Sequence, residues 1–292
     1  MRNKIVVTGG AGFVGSNLIE YLLKKTNFKI ISIDNYSSGT SKNHILSSRV
    51  KYIKGNTVDI SKILSVHKKK IHSIFHFGEF ARIYQSFVKL SKCLDSNTIG
   101  TNSVFKFCLE NKVKLIYSAT SASLGNSGYD KNLSPYAFTK SKNLELLENL
   151  KKWFNFKYEV IYFYNVYGPK QICKGDMATV IGIFEHHYKN KLPLPVVRPG
   201  FQSRRFTHIN DTVKVCYIAW KKNLCKHYAI THKKSLTIIE VAKLFKSKIK
   251  FLKPRRGERY ASALTKMSIN NKVKRIYGKI QLKDYVKSIV KK

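Results

Sequence analysis

Short apolar runs alternate with longer amphipathic stretches through the first half of the chain. The apolar runs have the length of buried β-strands and span residues 4–7, 30–33, 50–53, 73–77, 114–117 and 159–163. Between them, apolar residues recur at helical spacing, which predicts helices at 13–25, 97–111 and 137–154. Strands that alternate with helices are typical of an α/β protein with a doubly wound parallel sheet.

The alternation ends after Gly168 and Pro169. Proline and glycine then recur along the chain as far as Gly200. Helical patterns return at 211–222 and after Thr237. Thr237 and Glu240 have the spacing of a capping box. We therefore expect a sheet domain formed by residues 1–168 and completed by about 211–231, with a smaller, partly interleaved C-terminal lobe formed by 169–210 and 232–292.

Length and composition exclude several classes of protein. With 292 residues, 43% of them hydrophobic, the chain can bury a large core and is not of the disordered class. No apolar run approaches the ~20 residues of a membrane span, and the N-terminus enters a strand at once, so we expect a cytoplasmic protein. The five cysteines lack Cys-x-x-Cys spacing, which favours reduced, mostly buried thiols.

The net charge of +39 comes from 55 Lys and Arg against 16 Asp and Glu. Such a charge attracts nucleic acid or anionic surfaces at low salt. The positive residues are scattered, however, and no repeated platform of basic and aromatic residues accompanies them. We favour a compositional origin with a solvated basic surface over nucleic-acid binding, and a polyanion partner is kept as the alternative.

The first strand leads into a glycine-rich loop that is followed directly by a helix. Gly9, Gly12 and Gly15 lie in the run Thr-Gly-Gly-Ala-Gly-Phe-Val-Gly that ends at Gly15. Glycines at this spacing permit a sharp turn and let backbone N–H groups approach a pyrophosphate at the helix N-terminus. The second strand ends at Asp34, where a carboxylate binds the adenosine ribose and favours NAD over NADP. These residues predict a site for NAD.

Tyr136 and Lys140 are four residues apart in a predicted helix and therefore share one face. A phenol with a pKa of about 10 is a poor base at neutral pH, but a nearby ammonium and a nicotinamide cation both favour the phenolate. Upstream, the strand at 114–117 runs into the hydroxyl-rich segment 118–123, at a strand end of the kind where ligands bind. In this setting the pair predicts acid/base chemistry on an alcohol.

With these motifs the chain resembles the extended short-chain dehydrogenases/reductases, and within them the NAD-dependent nucleotide-sugar epimerases and dehydratases, nearest to UDP-glucose 4-epimerase-like enzymes. The likeness covers nearly the whole chain and implies a Rossmann-like sheet domain that binds NAD and a lobe that binds the nucleotide sugar. The motifs that carry it, in family order, are the glycine-rich loop, Asp34-Asn35, His76-Phe77, Asn97 with Gly100-Thr101-Asn102, Ser134-Pro135-Tyr136 with Lys140, Tyr164-Asn165-Val166-Tyr167-Gly168-Pro169, Gln202-Ser203-Arg204-Arg205-Phe206-Thr207-His208-Ile209, and Pro254-Arg255-Arg256-Gly257-Glu258.

The resemblance implies a role for each matching residue. Tyr136 would be the catalytic base, Lys140 would bind the nicotinamide ribose and lower the pKa of Tyr136, and Thr120 would hydrogen-bond the reacting sugar oxygen. It also implies a homodimer paired through helices and a place in nucleotide-sugar metabolism that feeds polysaccharide biosynthesis. The implied cofactor-binding residues are Gly9, Gly12, Phe13, Val14, Gly15, Asp34, Asn35, Asn56, Phe77, Asn97, Tyr136 and Lys140. The implied substrate-binding residues are Ser86, Thr120, Asn165, Arg204 and Arg255, the two arginines holding the diphosphate.

The residues that follow Thr120 bear on the type of reaction. In the related 4,6-dehydratases and decarboxylases, acidic residues directly follow the catalytic hydroxyl residue, whereas this chain has Ser121 and Ala122. We therefore expect C4 epimerisation of a UDP-hexose through a transient 4-keto sugar, with NAD bound between turnovers. A nucleotide-sugar 4-reductase, an epimerase of another nucleotide sugar and a non-catalytic NAD-binding protein that engages a polyanion are the open alternatives.

Several positions depart from the family pattern. Glu79 stands where small apolar residues are usual, and Asn56 replaces an Asp, although its amide oxygen can still accept a hydrogen bond from the adenine amino group. Arg205 stands where an Asp is common, Arg198-Pro199-Gly200 replaces a Gly-Asp-Gly-like turn, and the segment 125–134 is shorter than usual. These positions border the predicted substrate site, where they bear on which sugar is bound.

The adjacent histidines His186 and His187 raise the question of a metal. Neighbouring residues point to different sides of a helix, so the two rings do not converge on one ion. We expect a surface or packing role for both and predict no metal site.

Overall fold

The computed structural model describes residues 2–123, 130–256 and 273–291. The strands are β1 (Lys4–Thr8), β2 (Lys29–Asp34), β3 (Val50–Lys54), β4 (Ile71–His76), β5 (Lys114–Thr120), β6 (Tyr158–Phe163), β7 (Val166–Tyr167), β8 (Leu194–Val197), β9 (Ser203–Arg204), β10 (Thr207–His208), β11 (His227–Thr231), β12 (Leu236–Thr237), β13 (Ile249–Leu252) and β14 (Val273–Tyr277).

The helices flank these strands. They are α1 (Phe13–Lys25), α2 (Ile60–Ile63), α3 (Ile83–Val88), α4 (Leu90–Leu94), α5 (Thr101–Glu110), α6 (Pro135–Phe154), α7 (Val180–Lys189), α8 (Ile209–Lys222), α9 (Ile238–Leu244) and α10 (Leu282–Val290). Short 3₁₀ turns occupy Ser41–Asn43, Thr57–Asp59, Lys68–Lys70 and Ser121–Ser123, and a π-helical turn, Asp95–Gly100, leads into α5.

One large sheet organises the molecule. Its eight strands lie in the order β14-β11-β6-β5-β4-β1-β2-β3, and every neighbouring pair is parallel. This confirms the predicted α/β fold with a doubly wound sheet and all six predicted strands. The strand order reverses between β1 and β4, and in open α/β sheets the crevice at the carboxyl ends of such strands is where ligands bind.

Helices cover both faces of the sheet because successive strand residues point to opposite sides. Ile74 and Leu115 join a buried cluster on the side of α5 and α6, whereas the next residues, Phe75 and Ile116, join a cluster on the side of α1 and α8. The predicted helix at 13–25 is confirmed from its first residue to its last. The helix predicted at 97–111 is present, but it starts as the π-helical turn.

A third buried cluster forms the smaller C-terminal region. Tyr167, Phe184 and Phe245 belong to it, with side chains from α7, α9 and α10. The capping box of α9 is confirmed, because Thr237 Oγ1 accepts from the backbone N–H of Glu240 and the Glu240 carboxylate accepts from that of Thr237. The division into two domains stays a prediction. Within 232–292, the stretch we assigned to the lobe, β14 pairs with β11 as an edge of the large sheet.

All five cysteines are free thiols, three of them buried. No helix in residues 2–123, 130–256 and 273–291 combines the length and apolar character that crossing a membrane requires. That same part of the chain holds no group of three or more His, Cys, Asp or Glu side chains suited to a metal ion.

Candidate active site

The glycine-rich loop packs closely against its neighbours. Gly9 has a φ of +69°, and a Cβ there would lie 2.8 Å from the carbonyl carbon and oxygen of Phe77. A Cβ on Gly15 would lie 2.1 Å from the carbonyl oxygen of Gly9. Gly12 is the N-cap of α1 and gives it no side-chain cap, and the first turn of α1 contains no acidic residue. The helix N-terminus therefore suits a pyrophosphate.

Asp34 at the end of β2 lies beside this loop. Its carboxylate accepts hydrogen bonds from the backbone N–H of Ala11 at 3.0 Å and of Tyr36 at 2.8 Å. A carboxylate oxygen can accept more than one hydrogen bond, so this contact leaves room for a ribose hydroxyl. The glycines and Asp34 fit the adenosine half of a dinucleotide.

The three predicted catalytic residues gather at the carboxyl end of β5. Thr120 is the last residue of that strand, and Tyr136 lies in the first turn of α6, packed in a small cluster with Ala122. Lys140, one turn further along α6, donates a hydrogen bond to the carbonyl oxygen of Ser118 in β5. Tyr136 and Lys140 of α6 thus contact residues on either side of Thr120, namely Ala122 and Ser118.

Two serines fix the start of α6. The Ser134 side chain accepts from the backbone N–H of Ala137 at 3.1 Å and caps the helix. Ser86 of α3 is fully buried, and its hydroxyl accepts from the backbone N–H of Tyr136 at 3.2 Å. Both contacts hold the backbone that carries the phenol.

The predicted diphosphate-binding residues come from the C-terminal region. Arg204 in β9 donates to the carbonyl oxygen of Ser203 at 2.9 Å. The guanidinium of Arg255 lies 5.5 Å from the ring centre of Tyr84 in α3, the helix that contains Ser86. The side-chain amide of Asn165 donates to the carbonyl oxygen of Arg205 at 2.9 Å, which ties the two segments together.

Comparisons with known proteins identify the family. The model of the NAD dependent epimerase/dehydratase family matches residues 5–230. The chain belongs to this family. A putative UDP-glucose 4-epimerase of Methanocaldococcus jannaschii is 28% identical over 275 residues, which cover 88% of each chain. An uncharacterized UDP-glucose epimerase of Bacillus subtilis is 30% identical over 230 residues, covering 72% of this chain and 70% of that one. The crystal structure of the Thermotoga maritima UDP-glucose 4-epimerase with UDP-glucose matches with a TM-score of 0.85 and 25% identity, covering 99% of this chain and 97% of that one.

Membership of the NAD-dependent family confirms the predicted resemblance and cofactor class. The individual assignments of cofactor-binding and substrate-binding residues stay predictions, because no ligand contact tests them. Phe13, Val14 and Phe77 pack partly buried against the sheet cluster on the side of α1. Residues 257 and 258 of the last predicted motif, and residues 125–129 of the shortened segment, lie outside the described residues.

Three predicted cofactor-binding amides have protein partners. Asn97 is fully buried. Its side-chain amide binds the backbone of Phe80, accepting from the N–H at 2.7 Å and donating to the carbonyl oxygen at 3.0 Å. The Asn56 amide oxygen accepts from the Asn35 side chain at 2.8 Å. Asn97 therefore shapes the loop after β4, and Asn56 and Asn35 act as a pair.

Glu79 is the main feature of the site that family membership does not anticipate. It forms a buried ion pair with Lys140, the residue expected to bind the nicotinamide ribose and to lower the pKa of Tyr136. Its other partners include Thr101 and Tyr117. Asn143, three residues after Lys140, shares the same face of α6 and also reaches this cluster. The spacing of three residues between Lys140 and Asn143 is the sequence signal that places Asn143 on this face.

Proposed function

We propose that the protein is an NAD-dependent 4-epimerase of a UDP-hexose. The observation that carries the proposal is the assembly of Thr120, Tyr136 and Lys140 at one strand end, beside a crevice suited to a dinucleotide. The names of two relatives, a putative UDP-glucose 4-epimerase and an uncharacterized UDP-glucose epimerase, support the choice of a UDP-sugar.

Each side chain has a chemical task in this proposal. The hydroxyl of Thr120 holds the reacting sugar oxygen, and the phenol oxygen of Tyr136 takes the proton of the 4-hydroxyl group. The ammonium of Lys140 favours the phenolate and donates to the nicotinamide ribose. When bound beside Tyr136 and Lys140, NAD would supply a reversible hydride acceptor for C4. Rotation of the 4-keto sugar in the site would expose its other face, so that C4 is inverted with no net oxidation.

The residues that directly follow Thr120 favour epimerisation over dehydration. Elimination of water requires an additional acid/base group near the sugar, and the positions after Thr120 are Ser121 and Ala122. The nearby carboxylate of Glu79 is occupied by protein donors and is buried. It therefore faces the protein interior and does not supply the acid that a dehydratase needs.

The oligomeric state and the location are further parts of the proposal. Leu94, Ile99 and Phe138 expose large apolar side chains on and around α4 and α6, which supports a homodimer that pairs through helices. Light scattering after size exclusion is expected to give twice the chain mass of 33.6 kDa, and a value equal to one chain would contradict this. The cytoplasmic location stays a prediction from the sequence.

The experiment that tests the activity follows the configuration at C4. Purified protein is incubated with NAD and a panel of UDP- and GDP-linked sugars, and the products are identified by NMR. We expect UDP-glucose and UDP-galactose to interconvert without accumulation of NADH. Release of a 4-keto-6-deoxy sugar would indicate a dehydratase, and net consumption of NADH would indicate a reductase.

A further inference from the structure

Glu79 is a buried carboxylate next to the catalytic residues. It lies in the loop after β4, and its side chain is 2% exposed, while that of Lys140 is 4% exposed. The ammonium of Lys140 donates to Glu79 Oε2 and to the carbonyl oxygen of Ser118. Two of its three N–H donors are thus used inside the protein, and the ring of Tyr117 lies 4.5 Å from the nitrogen.

The hydrogen-bond partners of Glu79 act as donors to its carboxyl oxygens. Its Oε1 accepts from Thr101 Oγ1 and from the hydroxyl of Tyr117, each at 3.0 Å. The Tyr117 oxygen itself accepts from the Asn143 amide at 3.2 Å, which leaves its proton for Glu79. Thr101, Tyr117 and Lys140 thus all donate to Glu79, an arrangement that suits a carboxylate, which only accepts.

The same network extends to the glycine-rich loop. Thr8 Oγ1 accepts from the backbone N–H groups of Phe77 and Gly78, each at 3.1 Å, so its proton points to His76 Nδ1 at 2.7 Å. The opposite ring nitrogen, Nε2, then donates to Thr101 Oγ1 at 3.0 Å, and Thr101 donates to Glu79. Burial lowers the pKa of His76 to about 4, which agrees with the neutral ring that this direction requires.

We propose that Glu79 is a positioning residue for the reaction, a buried counter-ion that keeps Lys140 charged and fixed between β5 and Tyr136. This inference rests on the proposed function for the role of Lys140. A buried ammonium without an opposite charge tends to lose its proton, and removal of one partner of a buried pair leaves the other uncompensated.

The groups around Lys140 leave Glu79 as its source of negative charge. Burial lowers the pKa of Lys140, and Glu79 opposes that effect. Burial raises the pKa of Cys93 to about 11 and that of Tyr117 well above 10, so both are neutral at pH 7. His76 is neutral as well. Tyr136, one turn away on α6, is the proposed base, and among the described residues around Lys140 Glu79 is the carboxylate that pairs with the ammonium.

The decisive experiment titrates Lys140 directly. The Cε signal of Lys140 is followed by NMR against pH in the cofactor-free protein labelled with ¹³C-lysine, and Lys140→Arg assigns the signal. Glu79→Gln keeps the shape and removes the charge, so we expect Lys140 to lose its proton roughly 1–3 pH units lower than in the wild type. Glu79→Asp, which keeps the charge, is expected to restore most of that shift.

The pH profile of kcat/KM provides the second measurement. In Glu79→Gln the alkaline limb of this profile is expected to shift to lower pH, together with the Lys140 titration. In Glu79→Asp the limb is expected to return toward its wild-type pH. Glu159→Gln is the matched control, because Glu159 also forms a buried ion pair, with Lys114 at 3.2 Å, near the amino ends of β5 and β6. This control is expected to alter stability but neither the Lys140 titration nor the profile.

The outcomes separate this inference from the proposed function. Titration of Lys140 at the same pH in the wild type and in Glu79→Gln overturns the counter-ion role, whatever the activity. Absence of epimerase activity in the wild type overturns the proposed function but leaves the titration result valid. If Glu79→Gln does not fold, Glu79→Gln/Lys140→Met is expected to recover a cooperative unfolding transition, and failure to recover it overturns the inference.

Discussion

The contact between Gly15 and Gly9 gives the sharpest prediction from the fold. A Cβ at position 15 would lie 2.1 Å from the Gly9 carbonyl oxygen and 2.8 Å from the Gly10 Cα, well inside the ordinary contact distance of 3.4 Å. Both neighbours are backbone atoms, so no side-chain rotation relieves the clash. In Gly15→Ala the helix α1 has to retreat by about 1 Å from the loop, at a cost at the upper end of overpacking, about 3 kcal/mol.

The assay compares thermal unfolding and NAD binding. A cost of about 3 kcal/mol corresponds to a fall in Tm of roughly 6–12 °C. NAD affinity, measured by calorimetry, is expected to fall at least tenfold, because the N-terminus of α1 no longer meets the pyrophosphate. Gly12→Ala is the graded control, since its Cβ makes a single contact of 3.1 Å with the same oxygen. Its Tm is expected to fall by less than half as much.

The reasoning would be refuted if Gly15→Ala lost no stability, or if it lost less than Gly12→Ala. A Gly15→Ala variant with the Tm and NAD affinity of the wild type would show that the loop and α1 do not pack as described. A larger loss of Tm in Gly12→Ala than in Gly15→Ala would do the same.

Three further predictions follow from other parts of the structure. Burial lowers the pKa of His76 to about 4, whereas an unfolded His titrates near 6.5, so the unfolded chain binds the proton first. The free energy of unfolding should thus fall by about 3 kcal/mol between pH 6.5 and 4, and urea titrations that find an equal acid loss in His76→Gln would contradict this. Thr237→Ala removes the capping box of α9 and should cost about 1 kcal/mol in urea unfolding with NAD affinity unchanged; no loss of stability would argue against the cap. Arg255→Ala should raise KM for the UDP-sugar at least tenfold with a much smaller effect on kcat, and an unchanged KM would remove Arg255 from the substrate site.

The sequence predicted those elements whose signals are local. The helix Phe13–Lys25 was bounded correctly because glycines precede it and its apolar face is regular. The capping box at Thr237 was found because it depends on two side chains three residues apart. The doubly wound parallel sheet was predicted from the alternation of strands and helices.

The remaining features depend on contacts between distant segments. The β14 strand, Val273–Tyr277, is half-exposed at the edge of the sheet, so its sequence has no continuous apolar run. The burial of Glu79 depends on Thr101, Tyr117 and Lys140, which come from three different elements. The sequence marked Glu79 as unusual, but only the folded chain identifies its partner.

The central claim is that the phenol of Tyr136 moves the proton of the sugar hydroxyl. The most direct measurement compares wild-type protein and Tyr136→Phe in their interconversion of UDP-glucose and UDP-galactose by NMR, together with their NAD affinity by calorimetry. We predict that the variant loses at least 99% of the turnover, the low end of the roughly 10²–10⁴-fold effect of general acid/base catalysis, while NAD affinity changes less than about threefold. Wild-type turnover in Tyr136→Phe would contradict the account.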